Sequence, residues 1–214
     1  MTGAQPEVWT IRPAVPADVD LAVPLLYQTM HGLADYTFGC DPRYTTLEVL
    51  RLLFIHPGSR LSHRHTTVIE SQAGPAGLLV AYPGRLLPDL ALRTGARLLQ
   101  KFSPAAFVRL VWRSLALPGE EARRDEYYIS NLAVRPELQG RGLGSRLLAL
   151  AEGQARACGL ARLSLCVDMD NTGAQRLYAR TGFQVVLRQP HLRRAAQAGR
   201  GYLRMVKPLA PAGT

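Results

Sequence analysis

The sequence predicts an α/β fold, a mixed and mostly antiparallel sheet with helices on both faces. Three observations carry this. Segments of alternating polarity and segments with a 3.6-residue apolar period interleave along the chain. Between residues 127 and 183 a strand pattern runs through a glycine-rich turn into a helix. With 214 residues, 47% of them hydrophobic, the chain can bury one sizeable core, so a single domain is expected over residues 8–210.

Residues 9–14 read as a first strand. A helix then opens at Pro16, with Asp18 and Asp20 at its positive end and Leu21, Leu25, Leu26 and Met30 on its buried stripe. Pro24 is expected in the first turn, where its missing N–H costs little. Turn-rich residues 36–44 lead to a second helix over 45–55, which carries Leu47, Leu50, Leu53 and Phe54 and is stopped by His56-Pro57-Gly58. Strands follow at 66–71 and 77–82, joined by a hairpin-type turn at 72–76. His63 and His65 point the same way on an extended segment. Two histidines without a third ligand mark a solvated strand end, and no metal is assigned.

Residues 83–125 form a long insertion between the strands at 77–82 and 128–134. Leu90, Leu98, Leu99 and Phe102 suggest one amphipathic helix in this insertion. Phe107, Leu110, Val111 and Leu115 suggest another, starting after Ser103-Pro104. Arg93, Arg97, Lys101, Arg109 and Arg113 dress the polar faces. Three readings stand level: a packing extension, a homodimer surface, or a wall of a substrate site. Connections this long are seldom idle.

After the strand at 128–134 and the helix from Leu143, further strands are expected at 162–167, 183–187 and 202–206. A helix lies between the first two of these, and a basic loop at 188–201 precedes the last.

The formal charge is +10, yet only Lys101 and Lys207 are lysines among the 26 basic residues. The arginines are scattered rather than gathered on a helix or among aromatics, so nucleic-acid binding is a minor reading. No signal peptide is visible at residues 1–10 and no apolar run approaches a membrane span, which points to a cytoplasmic protein. Cys40, Cys158 and Cys166 lie in apolar contexts and read as buried free thiols.

The run Gln139-Gly140-Arg141-Gly142-Leu143-Gly144 is the densest signal. Three glycines in six residues let the backbone approach a ligand and aim successive amides into one concavity, and the helix that follows adds its positive end. Such a nest suits phosphate or pyrophosphate. It is not a Walker loop, because no Gly-Lys-Ser/Thr follows. For a dinucleotide fingerprint the third glycine comes one place early. Asp168 stands where a ribose-binding acid is wanted, but the rest of that match is poor.

The run does fit Q/R-x-x-G-x-G/A at every fixed position. Farther on, Asn171, Ala174, Leu177-Tyr178 and Gly182-Phe183 form N-x-x-A-x-x-L-Y-x-x-x-G-F. Together the two stretches resemble the GNAT superfamily of acyl-CoA-dependent N-acyltransferases, covering about a quarter of the chain closely. The resemblance implies acetyl-CoA as co-substrate, with pantetheine against Leu132, Ala133 and Val134. It implies a pyrophosphate cradle of Gln139, Gly140, Arg141, Gly142, Leu143, Gly144 and Ser145, with Asn171 and Tyr178 at the thioester end.

On the same ground Tyr178 is the expected general acid for the departing thiolate. The family's usual base position falls on Tyr128, which is no carboxylate. Glu126, two residues earlier, is the alternative, acting through water; as a plain residue it reads as a solvated acid at a strand start. The function implied is direct acetyl transfer to a primary amine, either small or part of a protein. A non-catalytic acyl-CoA-binding or regulatory module is the alternative.

Overall fold

The computed structural model describes residues 8–117 and 119–210. Most of the stretch read as lacking a leader (residues 1–7), Pro118 of the insertion and the last four residues lie outside the described residues. In chain order the elements are β1 (Thr10–Pro13), α1 (Val19–Phe38), α2 (Thr46–Ile55), β2 (Thr66–Ser71), β3 (Gly74–Pro83), α3 (Leu87–Leu99), α4 (Pro104–Ser114), β4 (Tyr127–Val134), α5 (Leu143–Ala157), β5 (Arg162–Asp168), α6 (Thr172–Arg180), β6 (Gln184–Pro190) and β7 (Gly201–Pro208). The expected order of strands and helices, insertion included, is the observed one.

The sheet runs β1-β2-β3-β4-β5-β7-β6. β4 and β5 pair in parallel, and the other neighbours are antiparallel. Side chains alternate across each strand, and the two faces build two cores. On one face Val68, Leu78, Val80, Tyr82 and Tyr128 pack under α1, α2, α3 and α4. On the other, Ile69, Leu79, Ala81, Ile129, Leu163, Leu165, Leu203 and Met205 pack under α5 and α6. Covered on both sides, the middle of β3 is buried residue after residue, from Ala76 through Tyr82.

Several local expectations are corrected. Pro16–Asp18 forms a 3₁₀ turn of its own, so α1 starts at Val19 and Pro24 lies inside the helix, past its first turn. α1 also continues through Phe38, into the stretch expected as turns. Arg113 donates to the Tyr36 carbonyl at 2.8 Å and Arg109 to the Cys40 carbonyl at 2.8 Å. These guanidiniums sit at the negative end of α1 and satisfy carbonyls a helix terminus leaves open.

α4 keeps Leu110 buried and Phe107 against the core as expected, but Val111 and Leu115 are exposed with Val108 and Trp112, and Arg109 and Arg113 reach to the end of α1. Leu47 and Leu99, expected in buried stripes, are exposed as well. His63–His65 is a 3₁₀ turn rather than an extended segment. His63 Nδ1 lies 3.0 Å from the Phe54 carbonyl oxygen, and His65 packs edge-on against Tyr82. Cys158 ends α5 on the surface and is exposed; only Cys40 is fully buried. Among the described residues no helix is long and apolar enough to cross a membrane.

Candidate active site

The site begins where β4 and β5 part. Their parallel ladder lasts three pairs: Tyr127 with Leu163, Tyr128 with Ser164, and Ile129 with Leu165. On the opposite edge of β4, Asn131 pairs with Val80 and Ile129 with Ala81, so Ser130 is an extra, bulged residue. A bulge bends its strand and increases the local twist. The two strands fork, and Leu132, Ala133 and Val134 have no β5 partner.

A cleft of about 460 Å³ follows that open side. Its lining includes Leu132, Ala133, Val134, Gln139, Gly140, Gly142, Leu143, Gly144, Ser145, Asn171 and Tyr178. Arg141 is exposed and does not line it. Gly140 and Gly142 have φ of +79° and +80°, the left-handed region that side chains disfavour. A Cβ at either would meet nothing within 4 Å, so free space lies over this backbone. The first helical bond of α5 is Arg146 N–H to the Gly142 carbonyl at 3.1 Å, which leaves the amides of Leu143, Gly144 and Ser145 ahead of the ladder. Gln139 Nε2 donates to the Val134 carbonyl at 3.1 Å and ties the turn to the strand.

Asn171 caps α6, its Oδ1 accepting from the Ala174 amide at 3.0 Å. Two turns along the same helix, Tyr178 is buried, with its ring 5.8 Å from that of Phe183. Both residues line the cradle cleft and also the fork itself. Burial pushes the Tyr178 phenol up to about 12, so it keeps its proton through neutral pH.

A second cavity, about 310 Å³, lies on the other side of the fork. α1 contributes Thr29, Met30 and Leu33; the insertion contributes Ser114, Leu117, Gly119 and Glu121; the strands add Tyr128, Cys166, Asp168 and Tyr202. Glu121 is paired with Arg60 and accepts from the Tyr128 hydroxyl at 2.9 Å. Burial pushes the Glu121 carboxyl up, but the charge and hydrogen bonds of Arg60 and the Tyr128 hydroxyl outweigh it and hold the group below its ordinary value. The Cys166 thiol is raised by burial, then by Glu121, and stays protonated.

Glu126 is not brought to this site. The residues before β4 form a tight turn, with Glu126 N–H to the Arg123 carbonyl at 3.2 Å, so strand alternation with Tyr128 does not apply. Only 2% exposed, it pairs with Arg204 at 2.5 Å and accepts from the Arg123 amide at 2.9 Å. The expectation of a solvated carboxylate is corrected: Glu126 opens on a separate cleft with Glu120, Arg123 and Arg162. The acids that do reach the fork or the cavity beside it are Asp168, Asp170 and Glu121. Asp168 ends a strand three residues before Asn171, a position that could have flagged it. Glu121 sits in an aperiodic part of the insertion with no such signal.

Residues 92–183 match the model of the Acetyltransferase (GNAT) family. Over that stretch, just under half of its length, the chain is similar to the GNAT family. It is 35% identical over 91 residues to a mycothiol acetyltransferase of Geodermatophilus obscurus, covering 38% of this chain and 30% of that one. It is 41% identical over 66 residues to a [ribosomal protein bS18]-alanine N-acetyltransferase of Haemophilus ducreyi, covering 30% and 46%. The chain thus spans less than half the length of either curated relative. Among solved structures, an N-acetyltransferase from Staphylococcus aureus Mu50 superposes with a TM-score of 0.68 at 22% identity, over 92% of this chain and 99% of that one. The GNAT fold therefore extends beyond the family-model match to nearly the whole molecule.

Proposed function

We propose that this chain is an acyltransferase that moves an acetyl group from acetyl-CoA to a primary amine, by direct transfer with both substrates bound. The observation that carries the reading is the bulge-opened fork, with a left-handed glycine cradle at one end and a protonated, buried tyrosine at its centre.

The residues fit the co-substrate. Free space over Gly140 and Gly142, together with the leading amides of α5, suits a pyrophosphate, since those amides and the helix dipole favour negative charge. The exposed edge of Leu132, Ala133 and Val134 suits an amide-bearing arm that adds to the sheet as a strand would. Holding amine and thioester side by side is itself a large part of such a reaction. Tyr178 adds a proton donor where the thiolate leaves. With the phenol pushed up to about 12, complete transfer to sulfur is uphill, and its main contribution is a hydrogen bond that strengthens as charge develops. The cavity of Glu121 and Arg60 is the proposed acceptor side, which makes the insertion its wall. The proposed setting is the cytoplasm, where free thiols persist.

Calorimetry with acetyl-CoA, CoA, NADPH and ATP tests the reading, followed by CoA release across a panel of primary amines. Tight binding of the first two alone, with amine-dependent release, supports it. Equal binding of NADPH overturns it.

A further inference from the structure

The fork and the acceptor cavity are not separate spaces. Thr29, Ser130, Asn131, Cys166 and Asp168 line both. Among these, Asp168 is the only carboxylate. It is the last residue of β5, register-paired with Tyr202 of β7. Its Oδ1 accepts from the Asp170 amide at 2.7 Å, which fixes the carboxylate plane. Its Oδ2 faces Gly199, where a Cβ would come within 3.1 Å, so glycine there leaves this oxygen uncovered. Arg200, next in the chain, is engaged with Asp170 at 3.2 Å. Glu121, the other acid of the cavity, is already matched by Arg60.

We infer that Asp168 receives the acceptor's ammonium group and takes its proton. The inference rests on the acetyl-transfer reading and names the missing base of that site. The step balances as follows. The Asp168 carboxylate takes one proton from the ammonium and frees the nitrogen lone pair. The nitrogen attacks the thioester carbonyl; the C–N bond forms and the C–S bond breaks. The departing sulfur, held by the Tyr178 hydrogen bond, takes the second amine proton, and Asp168 gives its own proton to water.

The cavity also specifies the acceptor's body. Met30, Leu33, Leu61 and Leu117 are among its lining residues, and at about 310 Å³ it lies at the small end of ligand pockets. It suits a compact, partly apolar primary amine that enters amine first.

The test compares two nucleophiles in wild type, Asp168→Asn and Asp168→Glu. One is n-butylamine, which is protonated at neutral pH; the other is hydroxylamine, which is already neutral there. Asn can still accept from the Asp170 amide, so the turn is retained. The expected result for Asp168→Asn is a loss of about 10²-fold or more in kcat/KM with butylamine. Loss with hydroxylamine should be under about tenfold, with unchanged acetyl-CoA affinity, and Asp168→Glu should recover part of the butylamine rate. Equal losses with both nucleophiles would reduce Asp168 to a structural residue and overturn the inference, as would an unaltered rate in a folded variant. A wild type that binds acetyl-CoA yet releases CoA with neither nucleophile overturns the transferase reading itself, and the role of Asp168 with it.

Discussion

The cradle and the proposed acceptor cavity lie on either side of one strand fork and are built from different materials. The cradle is backbone: left-handed glycines, the leading amides of α5 and the bare edge of β4. The cavity is side chains from seven separated places, among them α1, the residues before β2, the insertion, β4, β5 and the loop before β7. Backbone offers the same donors whatever the sequence and recognises an invariant ligand. A side-chain cavity changes with every substitution and suits the partner that varies. The two should therefore fail independently.

The largest expected effect sharpens that division. Gly142→Leu places a branched side chain at φ +80° and into the space a phosphate would fill. Calorimetry should show acetyl-CoA binding weakened roughly a hundredfold or more, about 3 kcal/mol, while the far cavity keeps its shape. Undiminished binding would remove the cradle assignment.

Next comes Tyr178→Phe, which keeps the ring against Phe183 and removes the donor. It should lower kcat by about 10²-fold with acetyl-CoA affinity and Tm nearly unchanged. Because burial raises the phenol to about 12, the wild-type rate should show no alkaline decline from this group below pH of about 10. A decline that disappears in the Phe variant would contradict the raised value.

A smaller effect is expected on the acceptor side. Glu121→Gln leaves Arg60 without its counter-charge but keeps an acceptor for the Tyr128 hydroxyl. Both partners are partly exposed, so solvent screens the loss, which should be roughly 1 kcal/mol in stability. The acceptor KM should rise several-fold with acetyl-CoA affinity unchanged. If acetyl-CoA binding falls in step, the two sites are not independent.

The cradle was legible because it is local. Gln139 to Gly144 carries its turn chemistry in six consecutive residues, and Asn171 and Tyr178 share one short helix. The bulge at Ser130 was not legible from its own residues, since nothing in Ser130-Asn131 marks an unpaired position; the fork was expected only through the family resemblance. The acceptor cavity was least legible. Arg60 and Glu121 meet across 61 positions of sequence, and carrying strand alternation back to Glu126 ignores the turn that precedes β4. α4 misled for a related reason. Its arginines were expected to dress a polar face, yet they bond the open carbonyls at the end of α1.

The smallest expected effect concerns how the insertion is held in place as the acceptor wall. Asp41, buried just after α1, accepts from Arg43 at 2.8 Å and from the Ser103 amide at 2.8 Å, and Ser103 caps α4. The Arg43 hydrogen bonds, then the Ser103 amide, hold its carboxyl well below the usual carboxylate range. A value depressed by folding means stability that is complete above the unfolded value, about 3.9, and is lost as pH falls toward the folded one. Asp41→Asn keeps the shape and removes the charge. Its Tm should therefore sit a few degrees below wild type at neutral pH, and the gap should close as pH falls below about 4. The acceptor KM should rise modestly while acetyl-CoA affinity holds, because only the wall has loosened. A gap that persists unchanged at low pH would mean that the charge contributes nothing and that Asp41 holds α4 through shape alone.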